Sequence, residues 1–215
     1  MDKSGIGKRR EAALGEGTTA YHRKRREIVD AAAAVFKTRG YRGTGLGDIA
    51  RVIGVDRATL YYYVGSKDEL FEEVVTGAAE ANTAALEAIR DSDVPAPDKL
   101  RVVVEQMMAS FADNYPFLYV YLQENLSQVG PGRAEWAARM RAYNHRYEDA
   151  LIEIVEQGFA AGTLREVAPA KVVAYGVLGT VAWSYRWFDP NTSTVDAGTV
   201  GRGYADIIVD GLRVR

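Results

Sequence analysis

Three glycines, Gly40, Gly54 and Gly65, cut the stretch from Tyr21 to Val75 into helical pieces, two of them only about two turns long. Helices that short do not persist alone in water, because nucleation fixes several residues for one hydrogen bond. They must therefore share a small core. The apolar spacing provides one. Ile28, Ala31, Ala32, Val35 and Phe36 share a face before Gly40. Leu46, Ile49, Ala50 and Ile53 do so before Gly54, and Leu60 and Val64 before Gly65. Thr18 or Thr19, Thr44, Asp56 and Ser66 are the expected N-caps, with Glu69 completing a capping box on the last. This is the grammar of a helix-turn-helix. A helical hairpin with no nucleic-acid role is the alternative.

Charge separates these readings better than the net value of -2 does. Residues 1–64 carry an excess of +6, from 13 Lys/Arg against 7 Asp/Glu, and the remainder is -8. A basic head on an acidic body fits contact with a polyanion at one end. On a helical wheel Leu60 and Val64 mark the buried direction of the third short helix. Tyr62 then points away from it beside Ala58 and Thr59, with Tyr61 and Tyr63 on the flanks. Tyr61 is expected to pack in part between helices. Small and hydroxylated side chains on a flat face suit a groove edge, and Arg57 can reach a guanine or the backbone. Lys67 suits a phosphate.

Downstream, helical runs follow one another. One starts near Asp98, FLYVYLQENL makes another, and Arg133 to Ala161 is long and amphipathic. Lys171 to Phe188 is apolar nearly all round, and Val200 to Leu212 is last. No strand-like alternation competes. The expected class is all-α, with about nine helices in three parts. These are a disordered basic arm over 1–17, a helix-turn-helix domain over 18–65, and an effector-binding and dimerisation domain over 66–215.

The stretch FKTRGYRGTGLGDIARVIGVDRATLYYYVGSKDELF resembles the DNA-binding domain of the tetracycline-repressor (TetR) family of transcriptional regulators. The resemblance covers residues 24–75, through AAxxVFxxRGY, Thr44, Asp48-Ile49-Ala50, Gly54-Val55, Thr59-Leu60-Tyr61 and Ser66-Lys67 before Glu69-Leu70. It implies a homodimer on a palindromic duplex operator, usually a repressor, released when a small molecule enters the C-terminal domain. By motif position the DNA contacts fall on Thr44, Arg57, Ala58, Thr59, Tyr61, Tyr62, Tyr63 and Lys67. Arg23, Lys24 and Arg26 of the basic arm are further candidates for the backbone or minor groove. Gly45 and Gly47 depart from the family pattern, which often has hydroxyl or basic side chains there. Backbone amides are expected to meet phosphate at that end. The effector is expected to act by favouring a spacing of the two recognition helices that no longer matches successive major grooves, about 34 Å apart. The helix from Ser66 onward is the expected lever.

In the body, aromatic residues gather over four helices, more than packing alone asks for. Phe111, Tyr115, Tyr119, Tyr143, Tyr147 and Trp183 are the expected lining of a pocket for a small hydrophobic or amphipathic effector. Gly176, Gly179, Trp187, Ile208 and Leu212 are the expected dimer interface, as a two-fold four-helix bundle. The segments MRAYNHRYEDALIEIVEQGFAAGTLR and VLGTVAWSYRWFDP also resemble a subgroup that regulates lipid and sterol catabolism. That resemblance implies an acyl-CoA or fatty-acid-like effector, with Arg139, Arg141 or Arg146 on its anionic part, or else facing solvent.

Other classes find little support. There is no cysteine, and the two histidines, His22 and His145, lack a third ligand or nucleophile at recognisable spacing. No enzyme activity, metal or cofactor is expected. No window suggests a membrane span or signal peptide, so the expected location is the cytoplasm. A DNA-architectural protein, or a small-molecule binder or enzyme without DNA function, is the remaining alternative.

Overall fold

The computed structural model describes residues 19–41, 43–115, 121 and 131–214. Among them the α-helices are α1 (Thr19–Arg39), α2 (Leu46–Ile53), α3 (Arg57–Tyr63), α4 (Lys67–Asp91), α5 (Ala96–Asp113), α6 (Ala134–Ala160), α7 (Ala170–Ala182) and α8 (Ala197–Leu212). Short 3-10 turns occupy Pro131–Arg133 and Trp183–Arg186, and the described residues form no strand beyond an isolated bridge between Leu164 and Arg213. The all-α expectation holds. The expected arm over 1–17 lies outside the described residues, as does the helix over FLYVYLQENL apart from Tyr121. No helix among them is long and apolar enough to cross a membrane. The chain divides into two compact units at Gly77/Ala78, with α4 contributing to both.

The first unit is assembled by its caps. Gly54 ends α2 in the left-handed conformation at φ 74°, where a Cβ would be strained. Asp56 caps α3, accepting from the Thr59 amide at 2.7 Å. Ser66 accepts from the Glu69 amide at 3.0 Å, while the Glu69 carboxylate reaches back to the Gly65 amide at 2.8 Å. The Thr44 cap differs from expectation. Gly45 is the N-cap of α2, and the buried Thr44 hydroxyl donates instead to the Gly40 carbonyl at 2.8 Å, closing the turn after α1. Ile28, Phe36, Ile49, Leu60, Val64 and Leu70 have no exposed surface, and form the shared core those short helices require.

In the second unit α5 lies against α8, and α6 packs on α7. A Cβ at Gly201 would come within 3.1 Å of the Glu105 Cα, so the glycine eases the close approach of α8 to α5. Leu100, Met108, Leu151 and Ile154 are fully buried at the centre. Lys99 is also buried, its ammonium donating to the Arg90 carbonyl at 2.6 Å and to Gln157 at 2.8 Å. Those bonds tie the start of α5 to the end of α4 and to α6. The helix expected from Asp98 starts earlier, behind Pro95, with Asp98 in its first turn. The apolar run from Lys171 is not enclosed all round: Val172, Tyr175, Trp183 and Trp187 are exposed.

Candidate nucleic-acid interface and ligand cavity

In the first unit α3 exposes Arg57, Ala58 and Tyr61, positions that share one arc of a helix. The tyrosines divide differently from the wheel's expectation. Tyr61 is 41% exposed, while Tyr62 and Tyr63 are half-buried. The reason lies on α1. Buried Tyr21 stacks on Tyr63 at 5.1 Å between centroids and meets Tyr62 edge-on at 5.7 Å. Leu60 faces the core directly, so the aromatic triplet straddles it, with Tyr61 on the open side.

Gly47 has a structural use. A Cβ there would stand 3.2 Å from the Arg57 Nε, so the glycine leaves room for the guanidinium to rest on α2. The amide expected to meet phosphate is differently engaged. Gly45 donates to the Asp48 carboxylate at 3.0 Å, and that bond, with Arg39 and Arg51 nearby, holds Asp48 below its ordinary pKa. Likewise the Thr59 amide and hydroxyl both donate to Asp56 and hold its carboxyl down.

The basic run is helical. Arg23, Lys24 and Arg26 sit in the first turns of α1, not in an extended arm; Arg23 and Arg26 are exposed, and Lys24 pairs with Glu27 at 2.9 Å. Arg25 is the exception. It is buried and bonds Glu69 at 2.8 Å and Glu73 on α4. Burial pulls its pKa down, but the two carboxylates outweigh that and leave it raised. Lys67 donates to the Tyr41 carbonyl at 2.9 Å, with its ammonium 4.3 Å from the centre of the Tyr41 ring.

The second unit contains a cavity of about 320 Å³. Phe111, Tyr143 and Tyr147 line it, as expected from the sequence. Tyr115 and Trp183 are not among the lining residues, and Tyr119 lies outside the described residues. Tyr115 instead packs beside Phe111 at 6.1 Å on the core. Trp183 is 59% exposed, under the Arg186 guanidinium at 4.8 Å.

Sequence reasoning missed the polar lining: Asn82, Gln106, Ser110, Asn144 and Glu148. Most of it is internally matched. Ser110 donates to Asn82 at 2.8 Å, Tyr121 to Asn144 at 2.9 Å, and Tyr175 to Glu148 at 2.8 Å. The Glu148 bond raises the Tyr175 pKa, and burial raises that of Tyr121 against the opposing bond to Asn144. Burial alone pushes Tyr147 well above the ordinary tyrosine value. The signal available in the sequence was their helical register with the aromatics, too common a pattern to single them out.

Arg139 and Arg146 do not reach the cavity lining. Arg139 pairs with Glu135 at 3.0 Å, and Arg146 grips Glu87 through two bonds of 3.0 and 2.7 Å, lowering the Glu87 pKa. Arg141 is exposed and also outside the lining. His145 is exposed, 3.8 Å from Glu148, and His22 is exposed beside Tyr21. Among the described residues no group of three His, Cys, Asp or Glu is placed to hold a metal.

The expected dimer residues fall into two sets. Gly176, Gly179 and Trp187 are exposed, and with Val172, Tyr175 and Trp183 they form an apolar stripe along α7 and the turn after it. Ile208 and Leu212 are half-buried against the core, whereas Ile207 on α8 is 70% exposed.

Residues 93–212 match the family model described as tetracyclin repressor-like, C-terminal domain, and residues 28–74 match that of bacterial regulatory proteins, tetR family. The HTH-type transcriptional repressor KstR2 of Rhodococcus jostii is 26% identical over 199 residues, covering 92% of this chain and 95% of that protein. The structure of PfmR, a TetR family transcriptional regulator from Thermus thermophilus, is 32% identical and superposes with a TM-score of 0.71 over 87% of this chain and 99% of that one. AibR, solved with isovaleryl coenzyme A and operator DNA, shares the fold at a TM-score of 0.62 and 23% identity, over 85% of this chain and 96% of that one.

Proposed function

The chain belongs to the tetracycline-repressor (TetR) family of DNA-binding transcriptional regulators, and on that premise we propose a sequence-specific repressor that a small apolar or acyl-type effector releases from its operator. The observation that carries this reading is the cavity of about 320 Å³ in the C-terminal unit of a chain whose first unit is a helix-turn-helix. A regulator that only held DNA would need no such space. AibR, with its bound isovaleryl coenzyme A and operator, supports an acyl thioester as the effector type.

The DNA-binding part is 18–65 and the effector-binding and dimerisation part 66–215. Arg57, Ala58 and Tyr61 read the groove, with Thr59, Tyr62 and Tyr63 at its edge. Lys67, Arg23, Lys24 and Arg26 approach phosphates, and Thr44 acts by holding the turn before α2. The stripe from Val172 to Trp187 meets a second copy. Exposed apolar rows of that length mark interfaces, and a two-fold partner covers them with the same row. The protein works by binding, not catalysis, in the cytoplasm where its operator lies. An effector acts by stabilising a dimer whose two α3 helices no longer match successive major grooves.

Selection from a random duplex library is expected to enrich an inverted repeat. Affinity for that repeat is then measured with and without a panel of acyl-CoA thioesters. No sequence preference would overturn the DNA assignment. Equal affinities with every saturating thioester would overturn release by that effector class.

A further inference from the structure

The cavity's polarity is one-sided. Its only charged lining residue among the described residues is Glu148. Among the described residues no lysine, arginine or histidine lines it, and the sequence of 116–130 contains none. Arg146, near in sequence, is committed to Glu87 through two hydrogen bonds. An anionic group held among the lining residues would therefore lose part of its hydration, gain no cation from them, and stand near a carboxylate. That combination is among the costliest a protein interior can impose.

The hydrogen-bonding groups point the same way. Ser110 donates to the Asn82 amide oxygen and Tyr121 to that of Asn144, so both hydroxyl protons are already used. Glu148 accepts from Tyr175. Tyr147 differs: it lines the cavity, and its hydroxyl has no hydrogen-bond partner among the described residues. It is packed at the edge of the core with its remaining surface toward the cavity, and burial disfavours its ionised form, so it stays a phenol able to donate. A donor that lines a mostly apolar cavity and has no protein partner is free to meet an acceptor on the ligand.

We propose that this cavity selects an uncharged apolar molecule bearing a carbonyl, which accepts a hydrogen bond from Tyr147, and that it rejects the same skeleton ending in a free carboxylate. Taking a water molecule's share of liquid, ~30 Å³, per non-hydrogen atom, the space suits a body of about ten such atoms. A thioester or ketone satisfies both conditions, and a free fatty acid fails the first. This rests on the reading of the cavity as the effector site and narrows it to one class. Glu148 accepts from Tyr175 and lies 3.8 Å from His145, both through one oxygen, so an ammonium is the competing ligand class that the third probe below decides.

The test uses three probes of matched length, decan-2-one, decanoate and decylamine, titrated into the full chain at pH 8 by calorimetry. Saturable binding of the ketone is expected, with decanoate at least about tenfold weaker. Tyr147→Phe is expected to weaken the ketone roughly fivefold, the loss of one neutral hydrogen bond. Decanoate or decylamine binding as tightly as the ketone would overturn the charge selection. An unchanged ketone affinity in Tyr147→Phe would overturn the donor assignment. Both of those results leave the effector cavity standing. Absence of binding by all three probes would overturn the cavity as an effector site, and this inference with it. The comparison of probes on the unaltered chain stands even if the variant misfolds.

Discussion

Tyrosine serves opposite ends in the two units. In the first, Tyr21, Tyr62 and Tyr63 press ring on ring at 5.0 to 5.7 Å and close a surface. In the second, Tyr143 and Tyr147 face open space of about 320 Å³. Helix length contributes to the difference, although Tyr21 itself sits on the 21-residue α1. Helices of seven and eight residues have one face to bury and little reach, so their side chains converge on a single point. Helices of 18 to 27 residues share contacts along their length and still leave a gap between them. A short-helix core is all or nothing, whereas a long-helix core tolerates a hole that a ligand can fill.

The largest expected effect tests that contrast directly. Leu60→Ala empties the centre of the first unit and is expected to cost about 3 kcal/mol there. The three tryptophans, Trp136, Trp183 and Trp187, all lie in the second unit. Circular dichroism should therefore show an early melting phase that tryptophan fluorescence does not follow. Coincident melting of both signals would mean that the units do not differ in this way.

Next comes the exposed stripe. Trp183→Asp puts a charge in the middle of the apolar row on the second unit and is expected to weaken self-association at least thirtyfold, roughly the 2 kcal/mol of an interface hot spot. Light scattering across a dilution series reads it. A dimer as tight as the parent would return Trp183 to an ordinary surface residue.

A smaller effect separates reading from support within α3. Tyr61→Ala is expected to weaken operator binding about tenfold and change the melting temperature less than Tyr63→Ala does, since it is the most exposed of the three tyrosines. Tyr63→Ala is expected to cost about 2 kcal/mol in the first unit through the lost Tyr21 stack. Swapped outcomes would restore the wheel's assignment, with Tyr61 packed.

The smallest effect is one the units should share. Asp56, capping α3, and Asp196, capping α8, each accept from a threonine amide and hydroxyl three residues on, which holds their carboxyl pKa below the ordinary aspartate value. With the folded value depressed, the unfolded chain binds more protons in that window. Each cap's contribution is complete above the unfolded value and is lost as pH falls through the folded one. Asp56→Asn and Asp196→Asn keep a capping oxygen but remove the titration, so both should flatten the acid limb of the stability curve, measured by urea unfolding between pH 5 and 2. An unchanged acid limb would remove the caps from the pH dependence.

What the amino-acid sequence determined alone is what depends on neighbours along the chain. The helix class, the stops at Gly40 and Gly54, the caps at Asp56 and Ser66 and the apolar face of each helix are set by residues within one or two turns of each other. Tertiary structure alone decided what depends on distant partners. Tyr21 reaches Tyr63 across 42 positions, Arg25 meets Glu73, and Trp183 faces outward and not into the cavity it was expected to line. The cavity belongs to that second kind. A gap is a property of how α4, α5, α6 and α7 fail to meet, and no periodicity within any one of them records it.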